Sequence, residues 1–575
     1  MSGNGDTTKE FKVGRDVVVG VGSYHKTLPH NEFGEVCPDA FGKLVIATRG
    51  NGSGFAAVPK GSGDAAPLTN PQGGLAADQL THHPASYSMP PAPTVLSSTT
   101  AAEMTELYWM ALLRDCPFNQ FDSNREVVVA AKEIDSVFQK AVGDTSDPGH
   151  LRPGVDVPGS AERLAPVTSK NLFRLGLPGD EHGPILSQFF VRPIAFGTQS
   201  IDQKQRPYAS GRNYLTDFDN WLHAQRSGND LDGQTYGKAN EKDATYFECD
   251  SRYISTMRDL ARFVNKDALH QAYFNAALIL LSGGARWTPG NPYGDWGPLS
   301  TREAGFGVLG GPHILALVSE VSTRALKVVW NQKWQVNLRL RPEAYGGHLH
   351  VQTDGVNGKK RAYGLPTWVA NTEAAKLVKR KYKTLLLPMA YTPGSPTHPS
   401  YGAGHATVAG ACVTILKAYF QTFETVKGED CPIPFNSLKE RSEPYGMGDP
   451  IIAYETGTTK TKKKDVDTWR RFQLDDTIAG QLTIEGELNK LAHNVAMGRS
   501  MGGVHWRSDN TRSLVLGEAL AAEILADITT DANERPTFEF RTFARRADGQ
   551  PKKVTITAGR IYVDGILVDT HGSAL

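Results

Sequence analysis

Three short blocks of the sequence carry side chains that could together bind an oxyanion. They are KWQVNLRLRPE, with Lys333 and Arg341; HPSYGAGHATVAGACVTILKAYF, with His398, Gly404 and His405; and GRSMGGVHWRSD, with Arg499, His505 and Asp509. Each block alone is more often structural, because basic side chains commonly end a solvated helix and a lone histidine commonly lies in a glycine-rich turn. Together, however, the three blocks predict one site.

The chemistry of this combination favours a tetrahedral anion of high negative charge. Lysine and arginine side chains keep their charge at neutral pH. We expect a helix to begin at Gly404, and the first N–H groups of a helix are free donors beside a partial positive charge. Of the two imidazoles, His405 and His505, one can bond the central atom of the anion, while the other gives or takes a proton on the opposite side.

The order and spacing of these residues resemble a known signature. The set K-x7-RP, P-S-x-x-x-G-H and R-x5-H-x3-D is similar to the oxyanion site shared by the vanadium-dependent haloperoxidases and by acid phosphatases of the same superfamily. The segments MPPAPTVLSSTTAAEMTELYWMAL, NLFRLGLPGDEHGPILSQFF and GELNKLAHNVAMGR resemble the algal and cyanobacterial bromoperoxidase branch. The resemblance extends over residues 85–530.

The resemblance implies how the anion is held. His505 resembles the axial ligand that bonds vanadium through a ring nitrogen. Lys333, Arg341 and Arg499 resemble the cations that hydrogen-bond the vanadate oxygens, and the backbone N–H of Gly404 resembles a further donor. The implied cofactor is therefore vanadate, in which vanadium(V) acts as a Lewis acid.

The resemblance also implies which groups move protons and meet the substrates. His405 resembles the acid–base histidine, which takes the proton of incoming hydrogen peroxide, and Lys333 is the candidate for polarising that peroxide. His398 resembles the second histidine of bromoperoxidases, near which halide and peroxide meet. Asp509 follows His505 by four residues, and we expect it to orient the imidazole, since a carboxylate commonly fixes the tautomer of a metal-binding histidine.

Two residues of this site depart from the family pattern. Ala403 stands where the family almost always has serine, whose hydroxyl would donate to a vanadate oxygen, so we expect a weakened but not an empty site. Trp330 is typical of fungal chloroperoxidases, whereas His398 is typical of bromoperoxidases, and we expect both to tune halide use. The segment NPYGDWGPLSTREAGFG lacks the clustered acidic and amide side chains that bind calcium in some relatives, so no calcium site is predicted.

The predicted reaction combines a halide, hydrogen peroxide and a proton into hypohalous acid and water. Bromide is the expected halide, and the hypohalous acid would halogenate small organic substrates. One alternative is a soluble acid phosphatase of the same superfamily, since phosphate and vanadate are close mimics. A second alternative is a non-catalytic oxyanion-binding assembly protein, which only Ala403 suggests.

Composition excludes several other classes of protein. The chain has 575 residues with 62 basic and 61 acidic side chains, a balance that argues against a general nucleic-acid binder. No apolar run reaches the length of about 18 residues that a membrane span needs. The first residues, MSGNGDTTKEFKVGRD, have no apolar core, so we expect no secretory signal and a soluble protein.

The pattern along the chain predicts a mainly α protein of three parts. Residues 1–95 are rich in Gly, Pro, Ser and Thr and predict an arm that makes oligomer contacts. Residues 96–535 show repeated helical periodicity and form the predicted catalytic domain, and residues 536–575 predict a short β hairpin. The stretch KTKKKDVDTWRR, 460–471, is predicted to be a charged surface loop.

The family resemblance further implies two four-helix bundles in each subunit and a homododecamer. None of the five cysteines forms a CxxC pair, which makes zinc and thiol-redox sites weak hypotheses. Cys412 is predicted to be buried in a helix. The other four could pair within or between subunits, and Cys37 and Cys116 are the candidates for an intersubunit disulfide.

Overall fold

The structure is a computed structural model that describes most of the chain. The described residues are 3–50, 52–78, 81–151, 166–231, 246–295, 297–442, 446–460, 467–546 and 548–568. In these residues no helix is long and apolar enough to cross a membrane.

Helices make up most of the regular structure in the described ranges, which confirms the predicted mainly α class. They are α1 (Pro38–Arg49), α2 (Ser98–Leu112), α3 (Arg125–Val142), α4 (Phe218–Ser227), α5 (Met257–Lys266), α6 (Gln271–Ser282), α7 (Gly311–Asn331), α8 (Pro342–Thr353), α9 (Glu373–Tyr382), α10 (Gly404–Tyr419), α11 (Asp476–Ala479), α12 (Ile484–Met501) and α13 (Arg507–Asp531). A π-helical turn, Gln332–Asn337, follows α7 directly.

The strands form small antiparallel sheets. They are β1 (Glu10–Val13), β2 (Asp16–Val19), β3 (Ile194–Phe196), β4 (Gln199–Ile201), β5 (Phe423–Val426), β6 (Glu429–Pro432), β7 (Lys439–Ser442), β8 (Gly446–Pro450), β9 (Tyr454–Lys460), β10 (Asp467–Gln473), β11 (Thr537–Arg545), β12 (Pro551–Thr557), β13 (Arg560–Val563) and β14 (Ile566–Val568). The first ten pair as two-stranded sheets, whereas β11 to β14 form one four-stranded sheet in chain order.

Helix α10 lies at the centre of the bundle that carries the predicted site. It packs against α7, α12 and α13, and α12 in turn packs against α5 and α2. Small residues permit the closest of these contacts. A Cβ built at Gly410 of α10 would lie 2.1 Å from the Leu514 carbonyl oxygen, and one built at Gly517 of α13 would lie 2.0 Å from the Thr407 carbonyl oxygen. The two backbones therefore approach more closely than any side chain would allow.

Local sequence explains where several of these helices begin. The Ser97 hydroxyl accepts from the Thr100 N–H at the start of α2, and the Thr483 hydroxyl accepts from the Gly486 N–H at the start of α12. Asn124 caps α3 in the same way. Helix α3 then buries an apolar stripe at helical spacing, including Val127 and Ile134, which fixes the face that it turns to the core.

The N-terminal stretch contains regular structure that the sequence did not predict, the β1–β2 hairpin and α1. The residues after β2 also pair with the segment before α8. The Tyr24 N–H donates to the Leu338 carbonyl oxygen at 2.7 Å, and the Leu340 N–H donates to the Gly22 carbonyl oxygen at 3.1 Å. This part of the chain therefore supports the backbone that carries Arg339 and the predicted site residue Arg341.

Two predictions about strands and loops differ from the structure. The C-terminal hairpin is part of a four-stranded sheet, in which Phe538 of β11 packs on Tyr419 of α10 with ring centroids 5.0 Å apart. The prediction of a charged surface loop at 460–471 is wrong for the described residues, because β9 and β10 pair as a hairpin. Residues 461–466 lie outside the described residues. The sequence of β10, DTWRRFQ, has no alternation of apolar and polar residues, so it does not identify a strand.

The five cysteines are all free within the subunit. Cys412 is buried in α10, as predicted. Cys37 is exposed and Cys116 is partly buried.

We expect Gly517→Ala to destabilise the protein and Gly42→Ala not to. At Gly517 the added methyl would overlap backbone atoms of α10, and overpacking of this kind costs about 1–3 kcal/mol. Gly42 is also inside a helix, but a Cβ there meets nothing within 4 Å, so alanine should stabilise by about 0.5–1 kcal/mol. Thermal unfolding midpoints of both variants test this. A midpoint for Gly517→Ala at or above that of the wild type would contradict the close helix contact.

Candidate active site

The structure brings the three sequence blocks together at the N-terminal end of α10. Lys333 lies on the π-helical turn after α7, and Arg341 immediately precedes α8. Arg499 lies in the last turn of α12, and His505 in the turn between α12 and α13. Gly404 is the first residue of α10. The four side chains are buried, with exposed fractions of 0–2%.

Arg341 links the second and third blocks. Its Nη1 donates to the His505 Nε2 at 3.0 Å and to the Val504 carbonyl oxygen at 2.7 Å. Its Nε donates to the His398 carbonyl oxygen at 3.0 Å, and its Nη2 donates to the His398 Nδ1 at 2.9 Å. One guanidinium therefore sets the distance between the two histidines.

Asp509 holds the imidazole of His505 from the other side. The His505 Nδ1 donates to the Asp509 Oδ2 at 2.9 Å, and the same oxygen accepts from the Trp506 N–H at 3.0 Å and from the Ser400 hydroxyl. Because a carboxylate accepts only, Nδ1 must carry the proton of the neutral ring. The Nε2 atom then has a lone pair that faces the cluster of cations and can bond a metal.

Two buried residues hold Asp509 in place, and the sequence analysis assigned a role to neither. The Arg339 Nη1 donates to the Asp509 Oδ1 at 2.7 Å, and its Nη2 donates to the Glu103 Oε2 at 3.0 Å. Glu103 also accepts from the Ser508 N–H at 2.5 Å. All these side chains are at most 3% exposed. The Arg339 guanidinium thereby pairs with both Asp509 and Glu103 in the core.

Positive charge dominates the region between Lys333, Arg341 and Arg499. Burial lowers the pKa of the Lys333 ammonium well below its usual value, and the charges of Arg341 and Arg499 lower it further. Burial and the same cations lower the pKa values of His398 and His505 well below the usual range for histidine. The sequence analysis expected Lys333 to keep its charge. In the structure, burial and the two arginines disfavour that charged form, and a bound anion would favour it.

The N-terminus of α10 adds backbone donors to this region. Its first intrahelical bond runs from the Thr407 N–H to the Ala403 carbonyl oxygen at 3.0 Å. In the part of the chain that the structure describes, the N–H groups of Gly404 and His405 have no protein acceptor. Ala403 is fully buried at the N-cap position and offers no hydroxyl. The helix therefore presents free N–H groups beside the three cations.

His405 is paired with a carboxylate that the sequence analysis missed. Its Nε2 donates to the Asp267 Oδ1 at 3.1 Å, and Asp267 directly follows α5. Burial lowers the pKa of His405 and outweighs the opposite effect of Asp267, and the charge of Arg499 lowers that pKa further. The neutral imidazole therefore keeps a lone pair on Nδ1, which can accept a proton near neutral pH.

Trp330 covers the site beside His398. The two ring centroids are 4.8 Å apart with the planes tilted by 41°. The Trp330 Cζ3 would lie 3.1 Å from a Cβ at Gly404, so a side chain at that position would press against the indole. Trp330 is itself only partly buried, so it lies between the cluster of cations and the surface.

The set of donors suits an anion rather than a metal cation. Within the described ranges, no group of three or more His, Cys, Asp or Glu side chains could hold a metal ion. What the site offers instead is three basic side chains, free backbone N–H groups and the His505 Nε2. A tetrahedral oxyanion that bonds one histidine nitrogen through its central atom fits this set.

Known proteins with the same pattern are vanadium enzymes. The model of the VCPO second helical-bundle domain matches residues 313–533. The chain is 33% identical over 527 residues to a vanadium-dependent bromoperoxidase of Corallina pilulifera, across 82% of this chain and 78% of that protein. It is also 33% identical over 534 residues to one of Ascophyllum nodosum, across 90% of this chain and 85% of that protein.

A solved structure agrees with this assignment over nearly the whole chain. It is the homohexameric second vanadate-dependent bromoperoxidase, AnII, of Ascophyllum nodosum, with a TM-score of 0.74 and 27% identity. The match covers 99% of this chain and 88% of that one. The chain belongs to the vanadium-dependent bromoperoxidase family.

Proposed function

We propose that this protein is a vanadate-dependent haloperoxidase that oxidises bromide with hydrogen peroxide to hypobromous acid. The observation that carries the proposal is the buried cluster of Lys333, Arg341 and Arg499 around the lone pair of the His505 Nε2. Bromide, peroxide and a proton give hypobromous acid and water, so the overall reaction consumes one proton. The hypobromous acid then brominates small organic substrates.

Vanadate is the proposed cofactor, and it fits the donors that the chain supplies. Bound vanadate would supply a Lewis acid that activates hydrogen peroxide toward attack by a halide. His505 would hold it through Nε2, while the three cations and the Gly404 N–H would stabilise its negative charge. Support comes from the lowered pKa of the buried Lys333, since a bound anion would favour the charged form that burial, Arg341 and Arg499 disfavour.

We assign His405 as the acid–base residue. Its Nε2 is engaged by Asp267, so its Nδ1 is the atom that would accept the proton of incoming peroxide. Asp267 would stabilise the imidazolium that forms, because the carboxylate is 3.1 Å away. Lys333 is our candidate for polarising the peroxide, since its Nζ lies among the cations and is anchored by the carbonyl oxygens of Pro399 and Ser400.

Halide preference is assigned to Trp330 and His398. Their rings pack together at the exposed side of the site, so a halide approaching the anion from that side would contact one or both. His398 is also fixed by Arg341, which makes its position insensitive to the incoming ion. We propose that this pair sets the ratio of bromide to chloride turnover without holding vanadate.

We propose that the protein works as a homo-oligomer. The structurally similar Ascophyllum nodosum enzyme is homohexameric, and the family resemblance implies a dodecamer for this branch. The proposed catalytic domain spans 96–535, with residues 1–95 and 536–575 as flanking parts. Exposed Cys37 is available for the proposed intersubunit disulfide, and Cys116 is less accessible.

One pair of assays separates the proposed reaction from phosphatase activity. We expect the wild-type protein to brominate a dimedone dye with peroxide only after orthovanadate is added, and not to hydrolyse phenyl phosphate without vanadate. His505→Ala should abolish bromination, because the bond from the protein to the cofactor is lost. Full activity of His505→Ala at saturating vanadate would exclude His505 as the ligand. Phosphate hydrolysis without bromination would make the protein a phosphatase.

We expect Ala403→Ser to tighten vanadate binding about ten- to a hundredfold. A serine hydroxyl beside the helix N-terminus would add one charge-assisted hydrogen bond, worth roughly 1.5–3 kcal/mol in a buried site. The measurement is a vanadate titration of phosphate-free apoenzyme at fixed pH.

A serine at the N-cap could instead accept from the Ala406 N–H and stabilise α10 alone. Thermal unfolding of the apoenzyme distinguishes the two outcomes. A higher midpoint with unchanged vanadate affinity would show that the side chain at position 403 does not reach the anion.

A further inference from the structure

A cleft between the β9–β10 hairpin and the segment before α5 has the composition of a binding site. Its volume is about 280 Å³, close to the lower limit of about 300 Å³ for small-molecule sites. Six of the residues that line it are basic or aromatic: Lys204, Arg252, Tyr253, Trp469, Arg470 and Arg471. None of the residues proposed to bind vanadate lines it.

The cleft carries a net positive charge. In the described part of the chain no carboxylate lines it, whereas four basic residues do. Arg252 is neutralised by the buried Asp259, and Lys204 lies 3.4 Å from the exposed Asp202. Among the described residues, Arg470 and Arg471 have no carboxylate within 4 Å. Arg471 shares one face of β10 with Trp469, whereas Arg470 alternates to the other face, where its guanidinium lies 5.0 Å from the centroid of the Phe472 ring. The charge of Arg471 therefore remains for a ligand.

The basic groups are held in place before any ligand arrives. The Arg252 Nε and Nη2 donate to Asp259 at 3.1 and 2.9 Å, and its guanidinium lies 3.6 Å from the centroid of the Trp469 ring. Arg471 lies between Tyr253 and Tyr454, with its guanidinium 4.7 and 4.4 Å from their ring centroids. Cation–π stacking and ion pairing fix both planes, so little entropy is lost when a ligand binds.

We propose that this cleft binds an organic oxyanion, a sulfate, sulfonate, phosphate or carboxylate group attached to a flat apolar ring. Arginine forks match the oxygens of such a group, and Tyr253 and Trp469 offer apolar surface to the ring. The volume exceeds what one inorganic oxyanion needs, since a water molecule takes up only about 30 Å³. The inference does not depend on the proposed reaction.

Naphthalene-1-sulfonate is a suitable probe, measured by isothermal titration calorimetry on the vanadate-saturated protein. We expect one site per subunit and weaker binding as ionic strength rises. The variant Arg470→Gln/Arg471→Gln should weaken binding at least about tenfold, because it removes the charge-assisted contact of Arg471 and a second positive charge beside the cleft. The control Lys12→Gln/Arg15→Gln removes the same charge from the exposed β1–β2 hairpin and should leave binding unchanged.

Further ligands and a milder variant complete the test. Inorganic sulfate and neutral 1-naphthalenemethanol should each bind at least about tenfold more weakly than the sulfonate. Sulfate lacks the aromatic ring, and the alcohol lacks the anionic group. If Arg470→Gln/Arg471→Gln fails to fold, Lys204→Gln at the surface should still weaken binding. Three results would each overturn the proposal: no sulfonate binding, equal binding of either partial ligand, or equal affinity in the cleft and control variants.

Discussion

The carboxylate of Asp509 is the interaction on which the rest of the site depends. It accepts from the His505 Nδ1 and from the Arg339 guanidinium, and Arg339 is also bound by Glu103 of α2. One chain of buried charges thereby connects α13, the segment before α8 and α2. Its effect on chemistry is to place the proton of His505 on Nδ1 and to leave on Nε2 a lone pair, which accepts from Arg341. Its effect on folding is to fix three separate elements around the same point.

The second constraint is the cost of collecting positive charge in the core. Lys333, Arg341 and Arg499 are each buried, and each donates to backbone carbonyl oxygens. Lys333 donates to those of Pro399 and Ser400. Arg341 donates to those of His398 and Val504, and Arg499 to that of Val264. Carbonyl dipoles compensate a full charge only in part, and the depressed pKa of Lys333 reflects the remainder. A bound oxyanion would remove this cost, so ligand binding and stability are linked in this protein.

The sequence predicted the helices with clear periodicity and much of the site, but not the contacts between distant segments. A helix beginning at Gly404 was predicted, and α10 spans Gly404–Tyr419. A local motif identifies a functional residue only when the residues next to it in the chain belong to that motif. Asp267 lies 138 residues before His405 and has no such motif, and Glu103 lies inside an ordinary helix pattern. The sequence did not predict strand β10, because its side chains stack on cationic and aromatic residues of other segments rather than alternating between apolar and polar.

The most direct test compares vanadate affinity in Asp509→Asn and Glu103→Gln, with both apoenzymes free of phosphate. Both changes weaken the ion pairs of Arg339, but only the first replaces the carboxylate that His505 donates to with a neutral amide, whose single oxygen cannot serve both Arg339 and His505. Loss of such a partner typically costs about 10- to 100-fold in metal affinity, so we predict that loss for Asp509→Asn and near wild-type affinity for Glu103→Gln. Wild-type affinity in Asp509→Asn, or equal losses in the two variants, would contradict the account.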